Sequence, residues 1–139
     1  MAKVVLDANV IISAAFGGKP LEAVTMALTK HEVYLTESVV AELMGVLAKL
    51  SKRLSSEQMT FLQEKMRELV AMARVVPISS RVMLSRDSND DHYLSLCRKT
   101  KADFLVTGDK DLLTISTKAL QKNGIMIRIV TPHDFLSEE

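Results

Sequence analysis

Several residue types are scarce in this sequence, and each shortage excludes a class of protein. The 139 residues include a single cysteine, Cys97, so no internal disulfide can form and a reducing compartment is expected. Tryptophan is absent and aromatic residues make up 4%, which argues against a base-stacking platform for nucleic acid. No apolar run reaches membrane-spanning length, and Asp7 interrupts the first run, so no signal peptide is expected. We therefore expect a soluble, cytoplasmic protein that does not bind a membrane.

The overall composition is that of an ordinary globular protein. Hydrophobic residues make up 47% of the chain, which is enough for a core, and the length suits one domain over residues 1–139. The 18 Lys and Arg against 17 Asp and Glu give a net charge of +1. A local basic patch matters more than this sum, so the charge neither requires nor excludes a nucleic-acid partner.

Strand-like and helix-like segments alternate along the chain, and no hairpin signals separate them. This alternation predicts a parallel sheet with helices on both faces. One strand is expected near a sheet edge, because Pro77 cannot donate to a strand ladder. The predicted strands span residues 4–6, 33–36, 74–78, 104–107 and 125–130. The predicted helices begin near residue 9 and span about 20–30, 38–49, 55–72, 90–100, 110–113 and 117–122.

Two aspartates occur in the same local setting, since each follows a short apolar strand and precedes a helical segment. They are Asp7, after Val4-Val5-Leu6, and Asp109, after Phe104-Leu105-Val106. If the two strands are parallel neighbours, both acids lie at the carboxyl edge of the sheet, where open α/β sheets bind ligands. The alternatives are that Asp7 or Asn9 only caps a helix and that Gly108-Asp109 is an ordinary turn.

Other acids are candidates by their helical positions. Glu42 lies at the margin of an apolar helix face, where geometry alone slightly favours a solvated glutamate. Asp90 shares the inward face of its helix with Leu94 and Cys97, so it is the preferred ligand or N-cap. Asp91 points about 100° away and is expected to be solvated or outside the first layer of ligands.

Four carboxylates brought together would repel one another, and a divalent cation would relieve that repulsion. Oxygen ligands suit Mg²⁺ or Mn²⁺ rather than zinc. The three histidines have no metal-ligand spacing, and His92 is expected at the surface. The sequence has no Gly-rich phosphate loop, serine nucleophile elbow or Cys–His constellation.

Taken together, these stretches resemble the PIN-domain nucleases, and in particular the putative toxins of toxin–antitoxin pairs related to VapC. The resemblance spans most of the chain, in the family's order. Two departures are Ser88, where close relatives often have proline, and Asp91, where they often have asparagine. The second leaves open which of Asp90 and Asp91 binds metal. The matching stretches are residues 4–10, 39–43, 87–91 and 102–113.

The resemblance implies a three-layer α/β/α sandwich with a metal site at the carboxyl edge of a mainly parallel sheet. By position, Asp7, Glu42, Asp90 and Asp109 match the acidic quartet. Of these, Asp7, Asp90 and Asp109 would hold Mg²⁺ or Mn²⁺, and Glu42 would bind a second ion or orient a water. The implied activity is cleavage of single-stranded RNA, with an antitoxin partner and a homodimer as further expectations.

Supporting residues come partly from the resemblance and partly from charge. Asn9 and Thr107 match polar residues that hold the first acid and line the site. Cations near the acids would contact the RNA backbone. The candidate cations are Lys19, Lys49, Lys52, Arg53 and Lys110. Each of them is more often a solvated surface residue.

Three other functions compete with a nuclease. A receiver-type phosphoacceptor also gathers acids around a parallel sheet, but it requires adjacent acids where this chain has Asp7-Ala8. A haloacid-type phosphatase requires Asp-x-Asp, and Asn9 occupies the second position. A non-catalytic module could retain the fold, and its partner or dimer surface could be the helix with Met59, Met66 and Met72, although core packing explains that stripe more simply.

Overall fold

The computed structural model describes residues 1–77 and 91–138, in which five strands alternate with eight helices. The predicted loop before Asp90 and Asp90 itself lie outside these residues. The strands are β1 (Lys3–Leu6), β2 (Glu32–Thr36), β3 (Arg74–Val76), β4 (Phe104–Val106) and β5 (Arg128–Val130). The helices are α1 (Ala8–Ala14), α2 (Gly18–Lys30), α3 (Glu37–Leu50), α4 (Ser56–Met72), α5 (Asp91–Thr100), α6 (Lys110–Leu113), α7 (Thr117–Lys122) and α8 (Pro132–Ser137).

The described strands form one parallel sheet in the order β3-β2-β1-β4-β5. β1 is central, and Val5 pairs with Tyr34 on one side and with Leu105 on the other. Its apolar residues are fully buried, as expected for a parallel strand covered on both faces. This order differs from the 2-1-3-4-5 order of flavodoxin-like sheets, which receiver domains share, and it therefore argues against the receiver alternative.

Helices cover both faces of the sheet and make the three-layer α/β/α sandwich that was expected. α5 packs across β2, β1 and β4, while α2 packs against α1 and α8. α4 contributes Leu62, Met66 and Leu69 to the core. Core packing thus explains most of its apolar stripe, although Met72 is exposed.

Strand-to-helix junctions at the carboxyl edge carry side-chain caps, which fix where each chain segment turns. Asp7 accepts a hydrogen bond from the Asn9 N–H at the start of α1. Thr36 and Thr131 make the equivalent bonds at the starts of α3 and α8. A cap satisfies backbone donors that would otherwise lack partners. Elsewhere, the capping box predicted at Ser55 is present at the start of α4.

The C-terminal segment differs from the prediction in two ways. The last strand is Arg128–Val130 rather than residues 125–130, because the Ile125 N–H donates to the Leu120 carbonyl and closes the end of α7 instead of joining the sheet. The helix α8 was not predicted. Its signals were Thr131 as a cap and Pro132 at the first helical position.

A sharp corner joins α1 to α2. Gly17 and Gly18 adopt φ values of +82° and +71°, a region that favours glycine, and α2 begins at Gly18 rather than at the predicted Pro20. Phe16 precedes the corner and is exposed. No single helix of residues 1–77 and 91–138 has the length and apolar composition of a membrane span. Taken together, α1 and α2 have that length and composition, but the pair is bent by 110°.

Candidate functional site

Asp7 is held rigidly at the carboxyl end of β1. Its backbone N–H donates to the Val106 carbonyl at 3.0 Å, which continues the pairing of β1 with β4. Its carboxylate accepts the Asn9 N–H at Oδ1 (2.9 Å) and the Thr107 hydroxyl at Oδ2 (2.6 Å). The residue is only 3% exposed. Both carboxylate oxygens therefore have fixed directions in a site that water reaches poorly.

The Thr107 hydroxyl connects the two strand-end aspartates. While it donates to Asp7, it also accepts the backbone N–H of Asp109 at 3.0 Å. Asp109 is half-buried and accepts the Asp111 N–H at Oδ1 (2.8 Å), so it caps α6. The prediction that the two acids emerge side by side from parallel neighbours is thus correct. Both also act as caps, and that role leaves their remaining lone pairs available to a ligand.

Glu42 lies within the electrostatic reach of Asp7. It belongs to α3, whose first turn begins at the carboxyl end of β2. Glu42 is an exposed residue, but its carboxyl group loses part of its hydration to neighbouring protein atoms. This desolvation, and then the negative charge of Asp7, raise the pKa of the carboxyl. Glu42 is therefore close enough to Asp7 for their charges to interact, and its place in the acidic quartet stays a prediction.

The start of α5 corrects two expectations. Asp91 is only 3% exposed, so the expectation that it is solvated is wrong, while the alternative that it lies outside the first layer of ligands stays a prediction. His92, expected at the surface, is also buried, and its Nδ1 lies 3.4 Å from the Thr36 hydroxyl. α5 packs against β1, β2 and β4, and residues 91–97 are all buried, so the helix has no solvated face over these residues. Asp90 lies outside the described residues.

Tyr93 is a residue of the site that the sequence pattern did not identify. Its hydroxyl accepts the Ala8 N–H at 2.9 Å, directly beside Asp7 in the chain. Burial and then the charge of Asp7 raise the pKa of the phenol. The apolar stripe of α5 had assigned Tyr93 to the core, and the available signal was that a buried tyrosine hydroxyl requires a partner.

A cleft of about 420 Å³ opens beside the acids. Asn9 is exposed at its wall and bonds to Asp7 through its backbone N–H, and Lys110 is exposed next to Asp109. Three other candidate cations lie farther from the carboxyl edge of the sheet, namely Lys49, Lys52 and Arg53. Lys49 is roughly 18 Å along α3 from the carboxyl edge, at 1.5 Å per residue, and the other two follow it. The lining residues are Asn9, Val10, Ser13, Pro20, Gly108, Asp109 and Pro132.

The donor chemistry fits a hard cation, but the described residues do not complete its coordination. Asp7, Asp109 and Glu42 offer only oxygen atoms, as Mg²⁺ and Mn²⁺ prefer. Burial, and then the negative charge of Asp7, raise the pKa of the Glu42 carboxyl. Within residues 1–77 and 91–138, no group of three Asp, Glu, His or Cys side chains is close enough to hold a metal ion.

Comparisons with known proteins agree with this architecture. Residues 3–111 match the family model described as the PIN domain. The comparison with curated proteins found no match.

Three solved structures are similar to the chain. PAE2754 from Pyrobaculum aerophilum has a TM-score of 0.63 at 13% identity, over 99% of this chain and 88% of that one. VapBC2 from Rickettsia felis, solved with a DNA fragment from their promoter, has a TM-score of 0.57 at 14% identity, over 91% and 98%. A domain of a functionally unknown protein from Methanocaldococcus jannaschii has a TM-score of 0.52 at 17% identity, over 93% and 91%. At these identities the likeness concerns the fold.

Proposed function

This chain belongs to the PIN-domain family, and from that premise we propose that it is a metal-dependent endoribonuclease that cleaves single-stranded RNA. PIN domains are generally nucleases. The observation that carries the proposal is the single threonine hydroxyl that bonds to the Asp7 carboxylate and to the Asp109 backbone. It joins two acids at the edge where α/β sheets bind ligands.

Asp7 and Asp109 would hold Mg²⁺ or Mn²⁺ together with an acid at the start of α5. Asp90 is the preferred candidate for that third position and Asp91 is the alternative. Asp91 is buried, but with Asp7 and Asp109 it does not form a group of three that is close enough to hold an ion. When bound, the cation would lower the pKa of an attacking water and offset the negative charge of the phosphodiester.

The protein's own side chains then have distinct tasks. Thr107 and the Asn9 N–H fix the Asp7 carboxylate, so that its direction does not change when substrate arrives. Glu42 accepts a proton more readily than an ordinary glutamate, because burial and Asp7 raise its pKa, and it orients or deprotonates the attacking water. Lys110, which is exposed beside Asp109, contacts the RNA backbone.

We also propose that the protein acts as the toxin of a toxin–antitoxin pair and forms a homodimer. The support is the shared fold with VapBC2, which was solved with a fragment of promoter DNA. Light scattering of the purified chain tests the dimer, and a monomeric mass would count against it. Arrested growth on expression, relieved by an antitoxin, tests the toxin role.

The test of the nuclease is cleavage of a mixed-sequence single-stranded RNA with Mn²⁺ by the wild type, by the wild type with EDTA and by Asp7→Asn. Only the first should cut, because removal of one ligand costs orders of magnitude in rate. Mn²⁺ should also raise the melting temperature of the wild type more than that of Asp7→Asn, because a ligand that binds only the folded state stabilises it.

The matched control is Asp103→Asn. Asp103 is an exposed aspartate at the other end of the β4 segment, where it accepts the Lys3 N–H. This variant should cut like the wild type. If Asp7→Asn cut normally, the assignment of the acids would be wrong. If no protein cut although Mn²⁺ bound, the non-catalytic module would replace the nuclease.

A further inference from the structure

Phe16 stands apart from the other aromatic residues of the chain. It is 62% exposed at the end of α1. All six aromatic residues lie in the part of the chain that the structure describes, and the other five are buried or half-buried. These five are Tyr34, Phe61, Tyr93, Phe104 and Phe135.

The position of Phe16 relates it to the acids. Asn9, Ser13 and Phe16 follow at i, i+4 and i+7, a spacing that shares one helix face. The Phe16 N–H donates to the Ser13 carbonyl at 3.0 Å, so the helical turn continues as far as Phe16. Asn9 and Ser13 line the same cleft as Asp109. At 1.5 Å per residue, Phe16 lies roughly 10 Å beyond Asn9 along this face.

The corner after α1 keeps the ring uncovered. The left-handed backbone of Gly17 and Gly18 turns the chain into α2, so no further turn of α1 packs over Phe16. Pro20, two residues past the corner, returns to the wall of the cleft. Lys19 lies between them with its ammonium 3.4 Å from Glu22, an exposed pair that is weak enough to yield to a phosphate.

We propose that Phe16 is a stacking site for one unpaired nucleobase of the single-stranded RNA, next to the phosphate that is cleaved, with Lys19 beside that nucleotide's own phosphate. Every base has a π face, so such a site binds single strands and tolerates different sequences. A paired base is already stacked in its duplex, so the site would select against double strands. This inference rests on the proposed function. The low aromatic content still argues against a platform that stacks several bases, but one exposed ring near the cleft is sufficient to stack one base.

The test compares cleavage kinetics and binding in EDTA for the wild type, Phe16→Ala, Phe16→Tyr and Met126→Ala. Met126 is the matched control, because it is 73% exposed and precedes β5 at the opposite, amino edge of the sheet. Phe16→Ala should raise KM and weaken binding about 10-fold, the effect of losing one base–aromatic stack, and should leave kcat unchanged. Phe16→Tyr keeps the ring and should behave like the wild type, and so should Met126→Ala.

Oligoribonucleotides with one abasic position each identify the stacked base. At one abasic position the affinity of the wild type should fall by the same factor of about 10, and the affinity of Phe16→Ala should not fall further at that position. The stacking site would be wrong, while the nuclease stands, if Phe16→Ala bound RNA and had a KM like the wild type. It would also be wrong if each abasic position lowered the affinity of Phe16→Ala by as much as it lowers that of the wild type. A wild type that neither binds nor cuts RNA would overturn both. Unchanged melting temperatures confirm that the variants are folded.

Discussion

Replacement of Thr107 by valine tests the arrangement of the site most directly. Valine keeps the shape of threonine and removes only the hydroxyl, which donates to Asp7 at 2.6 Å and accepts the Asp109 N–H at 3.0 Å. Thr107 is fully buried, at 0% exposure, so water cannot readily replace the lost partner. Thr107→Val should therefore lower both the free energy of unfolding and the rate of RNA cleavage.

The size of the stability loss follows from the two bonds. A hydrogen bond to a charged group contributes about 1.5–3 kcal/mol, and one between neutral groups about 0.5–1.5 kcal/mol. Their loss should lower the free energy of unfolding by about 3 kcal/mol. With a urea slope of about 2 kcal/mol per molar for a protein of this size, the unfolding midpoint should fall by about 1.5 M. Cleavage should fall roughly 100-fold, because a carboxylate displaced by about 1 Å loses its alignment.

The assay is urea unfolding in EDTA, followed by cleavage with Mn²⁺ at substrate saturation. Thr107→Ser keeps the hydroxyl and should lose only about 1 kcal/mol for the missing methyl group. Thr29→Val controls for the chemical change itself, because Thr29 is exposed on α2 and bonds only to carbonyls of its own helix. If Thr107→Val were as stable as the wild type, or more stable than Thr107→Ser, the hydroxyl would not link the two acids as described.

Two further predictions concern the groups around Asp7. Tyr93→Phe leaves the buried Ala8 N–H without its acceptor, so the free energy of unfolding should fall by about 1–3 kcal/mol; an unchanged urea midpoint would show that this bond is dispensable. Glu42 has a raised pKa in the folded protein, so the folded state binds this proton more tightly than the unfolded state. The stability that Glu42 contributes is therefore lost as the pH rises above 4.5, the ordinary pKa of a glutamate. The melting temperature of the wild type should fall for this reason between about pH 4 and about pH 7, and Glu42→Gln should lack this decline. Parallel profiles for the two proteins would show that the pKa of Glu42 is not raised in the folded protein.

Local sequence predicted the parts of the site that depend on one strand and the turn after it. Asp7 directly follows an apolar strand and Asp109 comes three residues after one, and short apolar runs followed by polar residues indicate a buried strand and its exit. The parallel pairing of those strands then placed both acids at one edge. Thr107, identified by resemblance, proved to be the link between them.

The errors arose where burial depends on several elements at once. Helical spacing sorted Asp90 inward and Asp91 outward, as is correct for a helix with one buried face. α5 is buried on every side over residues 91–97, so spacing could not distinguish an inward residue from an outward one. His92 was misplaced for the same reason, and the role of Tyr93 depends on a hydrogen bond from Ala8, at the start of α1, which is 85 residues away in sequence.

The position of β1 at the centre of the sheet has a consequence for synthesis of the chain. Asp7 is made well before its partner, because the hydroxyl that fixes its carboxylate belongs to Thr107, 100 positions later. At about 5–20 residues per second, several seconds pass before that partner is made. In that interval neither the β1–β4 pair nor the pair of acids can form. Until residues 104–109 have been made, the chain therefore lacks the paired acids on which the proposed cleavage depends, and the strand order itself delays assembly of the candidate site.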